Sequence, residues 1–539
     1  MTSLIIRNAV PWSAGERLEG DTVVIQDGVV VAVGAFAAAR DAAPAGATEW
    51  DARGGLVTAG FVDAHVHLGI VAQDALQCDL AGATTVDEIL GRIRAFADSH
   101  SSAWVLGGGW DRALFPASGP TAADLDAIVA DRPALFYDAD HHAAWVNSTA
   151  LTAAGIDDST PDPPDGRIER HPDGKPSGFL AEGAVQLMAR VLPEPDPDEI
   201  ASEIVTAAGQ LHAVGVTGWQ EAALGAFAGF PDFSESYRRA IAGGRLRGRV
   251  SGAIWVPRDL TVERIEEFIA DARARADRNT AFGLPTTTAK IMLDGIVETR
   301  TAALLEPYVD DGGNRGLSYF TPELIAQLFP AVNAAGLSVH VHAIGDRAVR
   351  DALDGFAQVP ASARGTVRNH IAHLQLIADP DVPRFAELGV TANIQPYWAS
   401  TTPLTRAVTI PLLGADRART LFRFGSLHTA GSALAMGSDW PVSSYDPWQG
   451  LHVAVTRCNP DDDGPALGPE EALPLGVILD AATRGSAELL GIPGGGRLEV
   501  GAPADLTIAT RNPFDHPDDE IHLTRAAATV IGGEIVFSG

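Results

Sequence analysis

The sequence predicts an α/β protein: a (β/α)8 TIM-like barrel, a small β-sandwich-like domain built from both termini, and an insert after the first barrel strand. Three observations lead there. Eight apolar runs in the middle of the chain read as buried strands, most followed by helical stretches, and strands alternating with helices form a parallel sheet that closes at about eight units. The two ends instead carry short β-branched runs separated by turn residues, the pattern of antiparallel hairpins. Finally, roughly 140 residues separate the first barrel run from the second, while later units recur at a more ordinary pitch, so a subdomain is inserted there.

At the N-terminal end "LIIRNAV", "TVVIQ" and "VVVAVG" alternate with turn signals such as "QDG", and at the C-terminal end "ADLTIAT" and "AAATVIGGEIVFSG" accompany the turn-forming "GAPAD". Residues 1–56 and 485–539 are therefore expected to form one composite β domain, and residues 57–484 the barrel. Its eight runs, in order, are "LVTAGFVDAHVHL", "VGVTGWQEA", "GRVSGAIWV", "TTAKIMLDG", "LSVHVHAIGD", "VRNHIAHLQLI", "GVTANIQP" and "SALAMGSDWPV". The insert, 70–198, has its own strand-like pieces, "AWVLGGGW" and "PALFYDAD", and a Pro, Asp and Gly-rich loop, "STPDPPDGRIERHPDGKPSG". An insert after the first strand emerges at the C-terminal face, where barrel active sites lie, so it is either a lid or a solvated connection.

Bulk properties narrow the partners. With 539 residues and 46% hydrophobic content the chain buries a large core, in one large domain with appendages or in two domains. A formal net charge of -30 repels phosphate backbones and anionic bilayers, so neither nucleic acid nor membrane is an expected partner; a small-molecule substrate is. Cys78 and Cys458 are too few for a disulfide framework or a thiolate cage, so any metal must use nitrogen and oxygen ligands. The start, "MTSLIIRNAVPWSAGERLEG", lacks a basic segment followed by a long apolar core, and no apolar run reaches roughly 18 residues. A cytoplasmic protein is expected, with oligomeric state open, a homodimer included.

The functional reading rests on polar residues inside the apolar runs. His65 and His67 are two apart, so the strand's alternation puts both on one face near its C-terminal end, as metal ligands or as two buried polar residues. The fifth run repeats the pattern: His342 lies nearer the active end and is favoured as the working residue, with His340 packing below, although the reverse assignment stands as an alternative. In "NHIAHLQLI" the histidines are three apart, and an extended strand sends them to opposite faces, so only one enters the barrel; His373 is favoured over His370. Asp439 follows an apolar strand, where it is either a cation-bound carboxylate or a turn and N-cap residue. Lys290 sits among apolar neighbours and either snorkels to the surface or is carbamylated by carbon dioxide into an anionic oxygen ligand. His65, His67, Lys290, His342, His373 and Asp439 all fall at C-terminal strand ends, which converge on one mouth in a closed barrel.

These residues, with "GFVDAHVHL", "HHAAWVNSTAL", "KIMLDGIVETRTAALLEPY", "HVHAIGDRAV", "IAHLQLI" and "GSDWPV", resemble the amidohydrolase superfamily of metal-dependent hydrolases, and within it the YtcJ-like branch that includes N-substituted formamide deformylases. The likeness runs from "IIRNAV" to "GAPADLTI". The family pattern is H-x-H after the first barrel strand, Lys after the fourth, His after the fifth and sixth, and Asp after the eighth. All six positions are filled. The doubled histidine of "HVHAIGD" departs from the commoner single His before "AIGD".

The resemblance implies two divalent metal ions, zinc by expectation, bridged by carbamylated Lys290. His65, His67 and Asp439 would hold the more buried ion and His342 with His373 the more exposed one. A metal-bridging hydroxide would attack a C–N bond of amide or N-formyl type, with Asp439 as general base and then acid, and His142 from the insert donating to the carbonyl. Trp110, Glu182, Arg300 and Trp398 are the candidate substrate-binding residues; Trp145, Tyr397 and Trp440 also fall in segments facing the mouth. Rival readings are an esterase, lactonase or carbamate hydrolase on the same site, and a non-catalytic binding protein on a retained barrel.

Overall fold

The computed structural model describes residues 3–116, 118–309 and 311–539. Eight parallel strands form one sheet: β1 (Phe61–Val66), β2 (Val216–Leu224), β3 (Arg249–Trp255), β4 (Thr286–Met292), β5 (Ser338–Ala343), β6 (His370–His373), β7 (Thr391–Ile394) and β8 (Leu434–Met436). Each pairs with the next in sequence order. Every residue of β1, β2, β5, β6 and β8 is buried, as parallel strands covered on both faces must be. Helices Ser234–Ala242, Ile265–Ala281, Pro322–Ala334 and Asp346–Ala357 follow β2, β3, β4 and β5.

The ring closes between β8 and β1 through the residues just beyond β8. The Asp439 N–H donates to the His65 carbonyl at 2.7 Å, and the His67 N–H to the Trp440 carbonyl at 2.9 Å. Buried Asp63 staples the seam from beneath, accepting the His65 and Ser438 N–H groups at 3.0 and 2.9 Å. Burial pushes its carboxyl up to about 6, against those hydrogen bonds. Closure itself therefore sets His65, His67 and Asp439 side by side.

Both chain ends meet in the smaller β assembly. Leu506–Ala509 pairs antiparallel with Leu56–Ala59 on one side and with Ala526–Ile531 on the other. A four-stranded sheet around Ser3–Arg7 faces it, and Ile6, Val23, Ile25, Val57, Leu506 and Val530 share one buried cluster between the two. The segment between β1 and β2 builds a six-stranded sheet of its own, from Cys78–Asp79 to Pro176–Glu182. No helix of the described residues is long and apolar enough to cross a membrane.

Arg457 ties the end of the Pro447–Thr456 helix to the segments around Leu421 and Leu467. It is fully buried, and its guanidinium donates to the carbonyls of Leu467, Phe422 and Leu421 at 2.7, 3.1 and 3.0 Å. Burial lowers its pKa to about 10, with Glu471 and Glu470 opposing, so it stays charged at neutral pH. Arg457→Leu strands three buried carbonyls and should cost on the order of 3 kcal/mol. Thermal denaturation reads this as a midpoint lowered by several degrees, and an unchanged midpoint would show that those carbonyls find other partners.

Candidate active site

The strand ends deliver six side chains to one place. His65 Nε2 lies 3.2 Å from Asp439 Oδ1, 3.3 Å from His67 Nε2 and 3.4 Å from Lys290 Nζ. His67 Nε2 is 3.5 Å and His373 Nδ1 3.8 Å from the Asp439 carboxylate. The His342 ring closes the group, 4.3 Å from His373. Asp439 reaches this position from a left-handed backbone, φ 61°, a conformation that Asp tolerates better than most residues.

Electrostatics prepare the cluster for a cation. Burial holds His65, His342 and His373 well below the ordinary imidazole pKa and takes His67 to about 3, so all four rings are neutral at pH 7, the form that ligates. Burial lowers Lys290 to about 7, with Asp439 and Glu221 pulling the other way. Asp439 is raised by burial and drawn back by His67 and Lys290. The ligand atoms of His65, His373 and Asp439 all lie within 4.8 Å of one another. The buried Nδ1 atoms of His67 and His373 have no hydrogen-bond partner. Orphaned buried polar atoms are costly, and neutral nitrogens facing a carboxylate suit a divalent cation.

Supporting groups differ from histidine to histidine. His67 Nδ1 is 3.8 Å from Glu221 Oε1, and the other oxygen of this buried carboxylate accepts from the Tyr237 hydroxyl at 2.7 Å and the Gly69 N–H at 3.0 Å. His342 Nε2 lies 3.5 Å from the Gly295 carbonyl. Next to that carbonyl, fully buried Asp294 accepts the N–H groups of Ala303, Ile344 and Gly345, tying the end of β5 to the segment after β4.

A cavity of about 1160 Å³ opens above the cluster, and the insert forms part of its wall. His142 comes from the insert, its ring 6.0 Å from that of His342. Its Nδ1 is 2.9 Å from Glu182 Oε1, which also accepts from Thr301 Oγ1 at 3.0 Å, while Arg258 sits 3.7 Å from the other oxygen. Burial disfavours the charged His142 ring, but the Glu182 carboxylate outweighs it and raises its pKa above the usual value. Glu182 itself is held at about 2, burial being overcome by His142 and Arg258. Trp398 lines the cavity and stacks on His373, centroids 5.1 Å apart.

Several expectations need correction. Trp110, expected at the mouth, is fully buried inside the insert, its indole N–H on the Phe136 carbonyl and its ring against Phe115, Trp145 and Phe179. Trp145 shares that core. Arg300, expected to orient substrate, lies on the loop after β4 with Asp311 at 3.7 Å and is absent from the cavity lining. Trp440 packs on Tyr445. Glu182, by contrast, lines the cavity itself and also holds His142 there. His370 and His373 both enter the barrel interior: the His370 ring is 4.1 Å from His340, and the alternation fails because His373 and Leu374 have φ of 75° and 53°.

Other cavity residues were not anticipated. His141 pairs with Asp74 at 3.1 Å, Arg258 stands 4.0 Å over the Tyr319 ring, and Phe227 stacks on Trp255 at 4.9 Å. The run "DADHH" closing an insert strand was a usable signal for His141. Glu221, a carboxylate inside the apolar run "GVTGWQEA", carries a signature like that of Asp439.

Comparison with known proteins agrees with this geometry. Residues 48–537 match the amidohydrolase family. The Bacillus subtilis (strain 168) protein YtcJ is 30% identical over 529 residues, covering 97% of this chain and 96% of its own. The N-substituted formamide deformylase of Arthrobacter pascens is 26% identical over 564 residues, covering 100% of this chain and 98% of its own. In fold, an uncharacterized metal-dependent hydrolase from Pyrococcus horikoshii OT3 superposes with a TM-score of 0.73 at 23% identity, over 96% of this chain and 99% of that one. With a family match spanning nearly the whole chain and a cluster of neutral nitrogens and a carboxylate at the mouth of its barrel, the chain belongs to the amidohydrolase family and is a hydrolase.

Proposed function

We propose that the protein hydrolyses a C–N bond of amide or N-formyl type in a small molecule, using two divalent cations, assigned as zinc, with Lys290 carbamylated between them. The observation that carries this reading is the meeting of His65, His67, Lys290, His342, His373 and Asp439 on the floor of one cavity. His65, His67 and Asp439 would hold the inner cation, His342 and His373 the outer one, and the Lys290 carbamate would reach both. Cations held by these residues would supply a water of near-neutral pKa and Lewis-acid polarisation of the scissile carbonyl. The expected bounds of 1–56 and 485–539 for the composite β domain shift, because Leu56–Ala59 pairs within that domain and the Ser486–Leu490 helix packs on β1 and β8; we assign 1–59 and 493–539 to it and 60–492 to the barrel, with 70–198 as the insert.

The chain's own groups handle protons and position. Asp439 takes the proton of the attacking water on a carboxylate oxygen and delivers it to the leaving nitrogen. His142 commits its Nδ1–H to Glu182, and its raised pKa supplies a second N–H at Nε2 for the carbonyl oxygen as negative charge develops there. The Phe227–Trp255 stack and Trp398 make an apolar wall suited to an apolar or aryl substituent on the amine. The name of the Arthrobacter pascens relative puts N-formyl amines first among candidates.

A panel of N-formyl amines, N-acyl amines, esters and lactones, assayed with metal-loaded protein, tests the reading. Turnover of the formyl or acyl amines is expected. Activity confined to esters or lactones overturns the C–N assignment. Less than one equivalent of metal after purification, with no thermal shift on chelation, would make the protein a binding protein instead.

A further inference from the structure

The doubled histidine of "HVHAIGD" has one member without an assigned task. His342 faces the cavity, whereas His340, two residues earlier on β5, is fully buried beneath the cluster. Its Nε2 is 3.0 Å from His65 Nδ1, and its Nδ1 is 2.9 Å from Gln220 Oε1 on β2. Gln220 Nε2 continues to Thr288 Oγ1 on β4 at 3.4 Å. His340, Gln220 and Thr288 are all buried, so no bulk water competes for these contacts.

The two ends of this chain determine every proton in between. His65 turns Nε2 toward Asp439, His67 and Lys290, so on the proposed reading that nitrogen is a bare ligand atom and the His65 proton sits on Nδ1. That N–H donates to His340 Nε2, which must be the bare nitrogen of its ring. His340 Nδ1–H then donates to Gln220 Oε1, and the Gln220 amide donates to Thr288 Oγ1. Moving the His340 proton to Nε2 would set two N–H groups head to head at His65, whichever way the Gln220 amide is turned.

We propose that His340, locked by Gln220, is a positioning residue that fixes the tautomer and ring orientation of His65 and so tightens the inner cation site. The support for His65 is thus a neutral hydrogen-bond chain through the barrel floor, while its neighbour His67 faces the Glu221 carboxylate. A partner on the second nitrogen of a ligating histidine holds the ring in place and raises its basicity. This inference rests on the reading of His65 as a ligand.

The test uses full-length protein stripped of metal and titrated with Co(II), the d–d spectrum reporting coordination and chelator competition reporting affinity. His340→Leu should weaken cation binding by about 10–100-fold and alter the spectrum of the first equivalent. His340→Gln keeps an oxygen that accepts from His65 Nδ1–H and should recover affinity to within about threefold of the wild type. Gln220→Leu, one bond further away, should weaken binding by several-fold. Thermal midpoints of the metal-free forms separate packing from positioning: a lowered midpoint with unchanged affinity makes His340 a core residue only and overturns the inference. Affinity in His340→Gln as weak as in His340→Leu overturns it too. Should His340→Leu not fold, wild-type affinity in Gln220→Leu has the same force. A wild-type protein that takes up no cation would instead sink the metal-dependent reading on which this rests.

Discussion

Asp439→Asn should retain its bound metal and lose about 10²–10⁴-fold in kcat, the range for removing a general acid–base from a reacting centre. The substitution preserves shape and leaves an amide oxygen able to ligate. It also suits the backbone, since Asn accepts the left-handed φ of 61° as readily as Asp, and the N–H bond to the His65 carbonyl is unaffected. What disappears is the proton acceptor. Asp439 is buried with one oxygen 3.2 Å from His65 Nε2 and 3.5 Å from His67 Nε2, and the other 3.8 Å from His373 Nδ1. Burial raises its pKa while His67 and Lys290 draw it back, and its oxygens lie where one can take the proton of the attacking water and pass it to the leaving nitrogen. Elemental analysis and steady-state kinetics on one preparation check the result. Near wild-type turnover with full metal content would move the base elsewhere.

The barrel was legible because parallel strands covered on both faces leave continuous apolar runs, and the few polar residues within them stand out. Even β8, three residues long, was marked by Asp439 just beyond it. Strand alternation correctly put His65 with His67 and His340 with His342. It failed at His373, where a positive φ turns the side chain back inward, an event with no signature in "NHIAHLQLI". Aromatic residues misled for a different reason. Trp110 and Trp398 carry the same side chain, and only the fold of the insert decides that one fills its core while the other faces the cavity. The approach of His142 to His342 spans separate parts of the sequence and depends on how the insert folds over the mouth. Glu221 could have been found by the argument applied to Asp439, since both are carboxylates set among apolar residues, Glu221 within β2 and Asp439 just beyond β8.

Lys290→Met should cost about 10²–10³-fold in kcat, comparable to removing one fixed electrostatic stabiliser from a dry site, and should lower the metal content as well. Lys290 is an unusual residue for its place: its ammonium would sit among buried side chains on β4, 3.4 Å from His65 Nε2, and burial brings its pKa down to about 7. A cation held there would repel the very metal ions that the surrounding rings are arranged to bind. The lowered pKa leaves much of the amine neutral at pH 7, the form that adds carbon dioxide, and the product carries two oxygens and a negative charge. Methionine has similar length and no such chemistry, so the variant keeps the packing while removing the bridge. With ¹³C-bicarbonate, the metal-loaded wild type should show a carbamate carbon by NMR that Lys290→Met lacks. The variant should retain fewer equivalents of metal after chelator dialysis, and with less ligand bound to the native state its metal-dependent thermal stabilisation should shrink. If Lys290→Met kept both full metal content and full turnover, the two-cation arrangement would give way to a site built from His65, His67, Asp439 and the histidines of β5 and β6 alone.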